Sequence, residues 1–129
     1  MPKFAILRTG KLKSAASVKG MLKHNFRTIE TPNADNELTP DNEHLSAVSV
    51  EDGMRRYREV LPQKVRKNAV HAIDYMITTS PGATKEAKEA TMKEAYDWLA
   101  EKHGKENIIM ASKHRDETTP HIHLSLIHI

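Results

Sequence analysis

The sequence predicts a single α+β domain in which helices flank a largely antiparallel sheet. Short segments with alternating apolar residues predict strands, and longer segments with helical periodicity and recognisable caps lie between them. The last two strand-like segments are separated only by a short polar turn, which is typical of an antiparallel hairpin. With 129 residues, 38% of them hydrophobic and 29% charged, the chain suits one modest hydrophobic core.

The first third of the chain contains one predicted strand and one predicted helix. Residues 3–9, KFAILRT, alternate as a strand does, and Ser14 is a candidate cap for a helix over residues 15–27. The stretch from residue 31 to residue 43, TPNADNELTPDNE, has two prolines and no apolar period. It therefore predicts a loop, and we expect the nearby His44 to be a solvated loop residue.

The rest of the chain predicts two helices and three strands. Ser49, with an acidic residue three positions later, resembles a capping box that begins a helix, and Pro62 ends that helix. A strand is predicted over residues 70–79, and the longest helix over residues 83–104, where a glycine suits the C-terminal cap. The two final strands, residues 107–114 and residue 121 onward, flank the turn RDETTP.

Composition narrows the class of protein. The chain has no cysteine, which excludes a disulfide framework and a thiolate metal site. No apolar run is long enough for a signal peptide or a membrane span, so we expect a cytosolic protein. The formal net charge is +3, and the basic residues form one group before Glu30 and another in the middle of the chain. Two basic groups on a small domain are compatible with binding to a nucleic-acid backbone.

Three histidines near the carboxyl terminus form a candidate metal site. His121 and His123 project from the same face of a strand, roughly 7 Å apart, because side chains alternate between faces. If the two last strands pair as a hairpin, His114 lies opposite His121. Three imidazoles favour a transition metal such as manganese, zinc, cobalt or nickel over magnesium. Asp116 and Glu117, in the turn, are alternatives as a fourth ligand or as acceptors for an imidazole N–H.

Two separate motifs resemble the MobV (Mob/Pre) family of plasmid mobilisation relaxases, also called plasmid recombination enzymes. The segment HRDETTPHIH, residues 114–123, matches the family pattern HxDExTPHxH. The amino-terminal FAILRTGKLK, the element KHNFR at residues 23–27 and an NxD element at residues 33–35 match in the same order. The resemblance extends from about residue 3 to residue 123.

The resemblance implies an HUH-endonuclease-like fold (His-hydrophobic-His) and a metal-dependent, site- and strand-specific nicking and rejoining of plasmid DNA at a transfer origin. Bound DNA would be single-stranded at the nick. Manganese is the first candidate for the cation on His114, His121 and His123. The family match implies that His24 is the nucleophile and that Glu117 orients or deprotonates a partner. It also implies DNA contacts for the remaining motif residues, Lys23, Asn25, Arg27, Asn33 and Asp35.

Alternatives to this interpretation remain at the level of sequence. Tyr57, Tyr75 and Tyr96 are rival nucleophiles, and Tyr57 stands out because it lies between two arginines. The chain is alternatively a DNA-binding fragment without catalysis, or a metal-dependent hydrolase of small phosphodiesters in which the metal activates water. The KHNFR element favours the relaxase over the hydrolase, because a hydrolase needs no histidine nucleophile.

The final residues, LSLIHI, lead to a separate hypothesis. The DNA sequence CTGTCTCTTATACACATC, the mosaic end of a transposon used to prepare sequencing libraries, encodes this hexapeptide. We therefore expect residues 124–129 to be derived from an adapter. Relaxase domains of the MobV family continue beyond the His-X-His, so residues 1–129 are interpreted as one incomplete relaxase domain.

Overall fold

The computed structural model describes residues 5–28, 34, 37, 39, 42–79, 82–116 and 120–127. Its helices and strands, in chain order, are β1 (Ala5–Leu12), α1 (Ala15–Asn25), β2 (Glu43–His44), α2 (Val50–Val60), β3 (Ala72–Thr79), α3 (Lys85–His103), β4 (Ile108–His114) and β5 (His121–Ile127). The strands form a five-stranded sheet in the order β1-β3-β5-β4-β2, and the four pairings between neighbours are antiparallel. The predicted α+β class and antiparallel sheet are confirmed.

Local contacts explain where the helices begin and end. In each helix the side-chain oxygen of the N-cap residue accepts a hydrogen bond from the backbone N–H three residues later; these residues are Ser14, Ser49 and Thr84. α1 ends at Asn25, two residues earlier than predicted, because Arg27 adopts a left-handed conformation with a φ of 56°. α3 ends before Gly104, as predicted, and that glycine has a φ of 90°. None of the helices in the described part of the chain is long and apolar enough to cross a bilayer.

The last strand, β5, lies at the centre of the sheet between β3 and β4. Its alternate side chains serve two apolar clusters on opposite faces. Ile122, Leu124 and Leu126 pack in the cluster that contains the buried face of α3, whereas Ile127 belongs to the cluster formed with α1 and α2. The remaining positions of β5 on the α1–α2 face include His121 and His123, so the histidines lie on a face that helices cover.

The sequence did not predict β2, and His44 is not the solvated loop residue that it led us to expect. Glu43 and His44 pair with Lys113 and Ser112 of β4 at one edge of the sheet. His44 is half-buried, with its Nδ1 2.7 Å from the hydroxyl oxygen of Ser112. A two-residue strand is too short to show alternation, so only the contact with β4 reveals it.

Two helical glycines provide a matched test of the packing between α1 and α2. A Cβ built on Gly53, in α2, would lie 2.5 Å from a methyl carbon of the fully buried Leu22 in α1, whereas a Cβ on Gly20 would meet nothing within 4 Å. We expect Gly53→Ala to lower the free energy of unfolding, since overpacking costs about 1–3 kcal/mol and offsets the gain in helix propensity of about 1 kcal/mol. Gly20→Ala should raise it by up to about 1 kcal/mol. Chemical denaturation measures both changes, and a stabilising Gly53→Ala would contradict the close approach of α1 and α2.

Candidate metal centre

Three imidazoles converge at one end of the β4–β5 hairpin, as predicted. His114 ends β4 directly opposite His121, the first residue of β5. His123 follows two residues later on the same face. One nitrogen from each ring can be chosen so that all three lie within 4.8 Å of one another. His114 and His121 are buried, and the side chain of His123 is 14% exposed. This spacing suits nitrogen ligands that share one cation.

The contacts of His114 indicate which of its nitrogens is available to a metal. Its Nε2 lies 2.6 Å from Oδ1 of Asn25, and the amide nitrogen of Asn25 donates to the carbonyl oxygen of Met21 at 2.9 Å. Since Asn25 already donates through its nitrogen, its oxygen is the acceptor and His114 Nε2 carries the proton. The other nitrogen, Nδ1, is buried and has no hydrogen-bond partner among the described residues. A buried lone pair without a partner fits a metal ligand.

The electrostatic surroundings keep His114 neutral. Burial, and after it the positive charge of Arg27, lower the pKa of His114 to about 2. An imidazole must be neutral to coordinate a metal through its lone pair. The chemistry of this donor set therefore fits the borderline transition metals predicted from the sequence.

His123 contacts a carboxylate that the sequence analysis did not single out. Its Nε2 lies 2.6 Å from Oδ1 and 2.7 Å from Oδ2 of Asp74 in β3. The hydroxyl of Ser125 donates to Oδ1 of the same carboxylate at 2.8 Å. The one sign of this role in the sequence is an aspartate in the middle of a predicted strand. That Asp74 lies beside His123 depends on the register between β3 and β5, which the sequence does not reveal.

Arg27 and Asp116 form a buried ion pair between α1 and the hairpin. Arg27 donates from Nε and Nη2 to the two carboxylate oxygens at 2.8 and 2.7 Å, and the hydroxyl of Thr39 donates to the same carboxylate at 2.9 Å. The two ion-paired side chains are 8% and 0% exposed. Burial alone would raise the pKa of the Asp116 carboxyl, but hydrogen bonds from Arg27 and from neighbouring side chains, together with the charge of Arg27, hold it well below its usual range. Asp116 thus contacts Arg27, and it is not among the grouped ligand candidates.

We call His114, His121 and His123 the trio. The other predicted site residues differ in burial and in the contacts that they make. His24 is half-buried in the last turn of α1, and its carbonyl oxygen accepts from Nη1 of Arg27 at 3.0 Å. Lys23 lines a surface cavity of about 420 Å³ together with Lys19. Asn25, predicted to contact DNA, is fully buried against His114 instead. The remaining predicted residues lie outside the described part of the chain: Asn33, Asp35 and Glu117.

The rival tyrosines have structural contacts. Tyr57 is 4% exposed, its hydroxyl lies 2.8 Å from Nδ1 of His71, and burial raises its pKa. The hydroxyl oxygen of Tyr75 lies 3.3 Å from Nε2 of His103. Tyr96, which is on α3, packs against the apolar cluster between α3 and the sheet. These positions favour packing roles over attack on a phosphate.

The sheet, its covering helices and the trio of imidazoles define a candidate metal-binding α+β domain. A family model described as Mob_Pre, plasmid recombination enzyme, matches residues 1–129. The chain therefore belongs to the Mob/Pre family of plasmid recombination enzymes.

Individual relatives agree with this assignment. A plasmid recombination enzyme type 2 of Staphylococcus aureus is 33% identical over 96% of this chain and 32% of its own length. A 65 kDa protein of Zymomonas mobilis is 30% identical over 95% of this chain and 22% of its own length. The chain thus spans about a third or less of these two relatives. Among solved structures, the Mn-bound MobM relaxase domain in complex with plasmid pMV158 oriT DNA has a TM-score of 0.78 at 26% identity, covering 95% of this chain and 69% of that one.

The buried ion pair leads to a stability prediction. Removing one partner of a buried pair leaves an uncompensated charge and costs about 3–5 kcal/mol. We expect Arg27→Met to lower the free energy of unfolding by about that amount. Arg27→Met combined with Asp116→Asn should recover part of the lost stability, because no unpaired charge then remains buried.

An exposed arginine provides the control. Arg55 pairs with Asp52 and Glu59 on the surface of α2, with 55% of its side chain exposed. Arg55→Met should leave the unfolding curve close to that of the wild type, because solvent screens such pairs. Denaturant titrations compare all three variants. Equal effects of Arg27→Met and Arg55→Met would contradict a buried role for Arg27.

Proposed function

We propose that this chain is the metal- and nucleophile-bearing part of a relaxase that nicks and rejoins one strand of plasmid DNA at a transfer origin. The observation that carries the proposal is the direct contact between two motifs that are distant in sequence. The KHNFR element contacts the histidine hairpin through Asn25 and His114 and again through Arg27 and Asp116. These contacts bring the end of α1, which contains His24, to the hairpin that carries the trio. The likeness to a Mn-bound relaxase domain in complex with oriT DNA supports the same function.

His114, His121 and His123 would hold the divalent cation, and Glu117 is proposed as a further ligand or as an orienting carboxylate. When bound, the cation would polarise the scissile phosphate and stabilise the charge that develops on it. Manganese is the proposed metal because the donors are imidazoles, and because the MobM neighbour is Mn-bound. The site would then be of the HUH type, with the His-X-His on β5.

His24 is the proposed nucleophile. A neutral imidazole nitrogen would attack the phosphorus in line, forming a P–N bond while the bond between phosphorus and the 3′ oxygen breaks. The proton lost by the imidazole goes to the leaving 3′ oxygen, so the products are a 5′ phosphoramidate on His24 and a free 3′ hydroxyl. The reverse reaction rejoins the strand. Arg27 would assist by holding the backbone of His24 through the bond to its carbonyl oxygen.

DNA binding is proposed for Lys23, Asn33 and Asp35, with the basic residues of β1 and α1 contacting phosphates. Lys19 and Lys23 line one cavity beside the last turn of α1, which supports a path for the DNA backbone there. Arg27 and Asn25 are assigned to positioning because their polar groups are engaged inside the protein.

The nucleophile assignment is tested with a supercoiled plasmid that carries the origin, incubated with the chain and Mn²⁺. We expect a covalent adduct on the 5′ phosphate that is hydrolysed by acid. A phosphoramidate is acid-labile, whereas a phosphotyrosine ester is not. His24→Ala should abolish the adduct. Tyr57→Phe and His103→Ala should retain it, because the side chain of Tyr57 is engaged with His71 and that of His103 with Tyr75. An adduct that survives His24→Ala would refute the nucleophile assignment. Origin DNA left intact by this chain and also by a longer protein that contains it would refute the function.

Metal removal provides a separate test. Chelation should abolish nicking while leaving DNA binding by the basic residues measurable. Adding Mn²⁺ at about 100 times its dissociation constant should stabilise the fold by about 2.7 kcal/mol, which a thermal melt detects. His121→Ala should lose this shift. His44→Ala, a histidine of the neighbouring edge strand outside the trio, should keep it. The same Mn²⁺ shift in both variants would contradict the metal site.

A further inference from the structure

Two of the three clustered histidines are held from outside the hairpin by side-chain oxygens. Asn25 of α1 lies 2.6 Å from Nε2 of His114. Asp74 of β3 lies 2.6 and 2.7 Å from Nε2 of His123. The same ring nitrogen is engaged in both histidines, although the partners come from different elements and differ in charge. The same contact in two histidines points to a shared role in addition to packing.

Each oxygen is itself fixed as an acceptor. The amide nitrogen of Asn25 donates to the Met21 carbonyl, which turns its oxygen toward His114. The carboxylate of Asp74 has no proton to donate and also receives the hydroxyl of Ser125 at 2.8 Å. Both histidines must therefore carry the proton on Nε2 to satisfy these partners, and both present the lone pair of Nδ1. In His114 that Nδ1 is buried and has no protein partner among the described residues.

We infer that Asp74 and Asn25 are positioning residues that select the Nε2–H tautomer of His123 and His114, so that both Nδ1 atoms are presented to one cation. Imidazole ligands generally donate their second N–H to an oxygen, which fixes the ring and raises its basicity as a ligand. The inference rests on the metal site of the proposed function, and not on His24 or on DNA cleavage.

The position of Asp74 makes it the more informative residue. It lies in the middle of β3, opposite Ser125 in the register with β5. A partly buried carboxylate is costly unless it is hydrogen-bonded. Among the described residues, the hydrogen-bond partners of Asp74 are His123 and Ser125. A purely structural aspartate would stabilise the fold without affecting metal affinity, so the two roles are separable by measurement.

The first experiment uses the wild-type chain without metal or DNA, at a pH about two units above the ordinary histidine pKa of about 6.5. Nitrogen chemical shifts and long-range nitrogen–proton couplings report the tautomer of each imidazole. We expect Nε2–H for both His114 and His123. In Asp74→Ala, His123 should lose this preference while His114 keeps it, which makes His114 an internal control. A wild-type His123 that carries its proton on Nδ1 would overturn the inference.

The second experiment measures Mn²⁺ affinity by calorimetry. Asp74→Ala should weaken binding about 10- to 100-fold, and Asp74→Asn, which keeps an acceptor oxygen, should recover part of the loss. Asp97→Ala removes the same charge from an exposed position on α3 and should bind Mn²⁺ as the wild type does. Equal affinities of Asp74→Ala and Asp97→Ala, or a wild type that binds no Mn²⁺, would overturn the inference. Since neither experiment involves DNA, failure of origin nicking leaves these results unaffected and falsifies only the proposed function.

Discussion

The ion pair between Arg27 and Asp116 is the contact on which the geometry of the site depends. Its members are 89 residues apart in the sequence, as are Asn25 and His114, and the two contacts together connect α1 to the hairpin. Arg27 has a left-handed backbone, which is costly for a residue with a Cβ. A bidentate bond to a buried carboxylate and a bond to the His24 carbonyl compensate for that conformation. The turn that ends α1 is therefore fixed by the same side chain that holds the hairpin.

The central position of β5 provides the second constraint. A strand with hydrogen-bonded neighbours on both sides has little freedom to move or to shift register, since a slip of one residue would turn its histidines to the opposite face. Apolar side chains pack against α3 on the other face of the same strand. The proposed metal ligands would require accurate placement, and a strand buried on both faces provides it.

Much of the fold and the core of the site could be predicted because their signals are local. Helix caps at Ser14 and Ser49, the terminal hairpin and the His-X-His spacing each depend on residues close together in sequence. The contact of Asp74 with His123 could not be predicted, because it depends on the register of two strands that are distant in sequence. The inward orientation of Asn25 was equally hidden, since a polar residue at a helix end is usually exposed.

Positioning and electrostatics come from the same groups in this site. The guanidinium of Arg27 holds α1 against the hairpin, and its charge is the second cause, after burial, of the lowered pKa of His114. A full positive charge beside a cation site would oppose metal binding if nothing balanced it. Asp116 neutralises that charge at hydrogen-bond distance, and Asp74 adds a carboxylate that contacts His123. The two carboxylates therefore have different effects. Asp116 offsets the charge of the arginine that orders α1, and Asp74 supplies negative charge next to His123, a proposed ligand. With that division, a buried site on a basic chain would suit the divalent cation proposed for it.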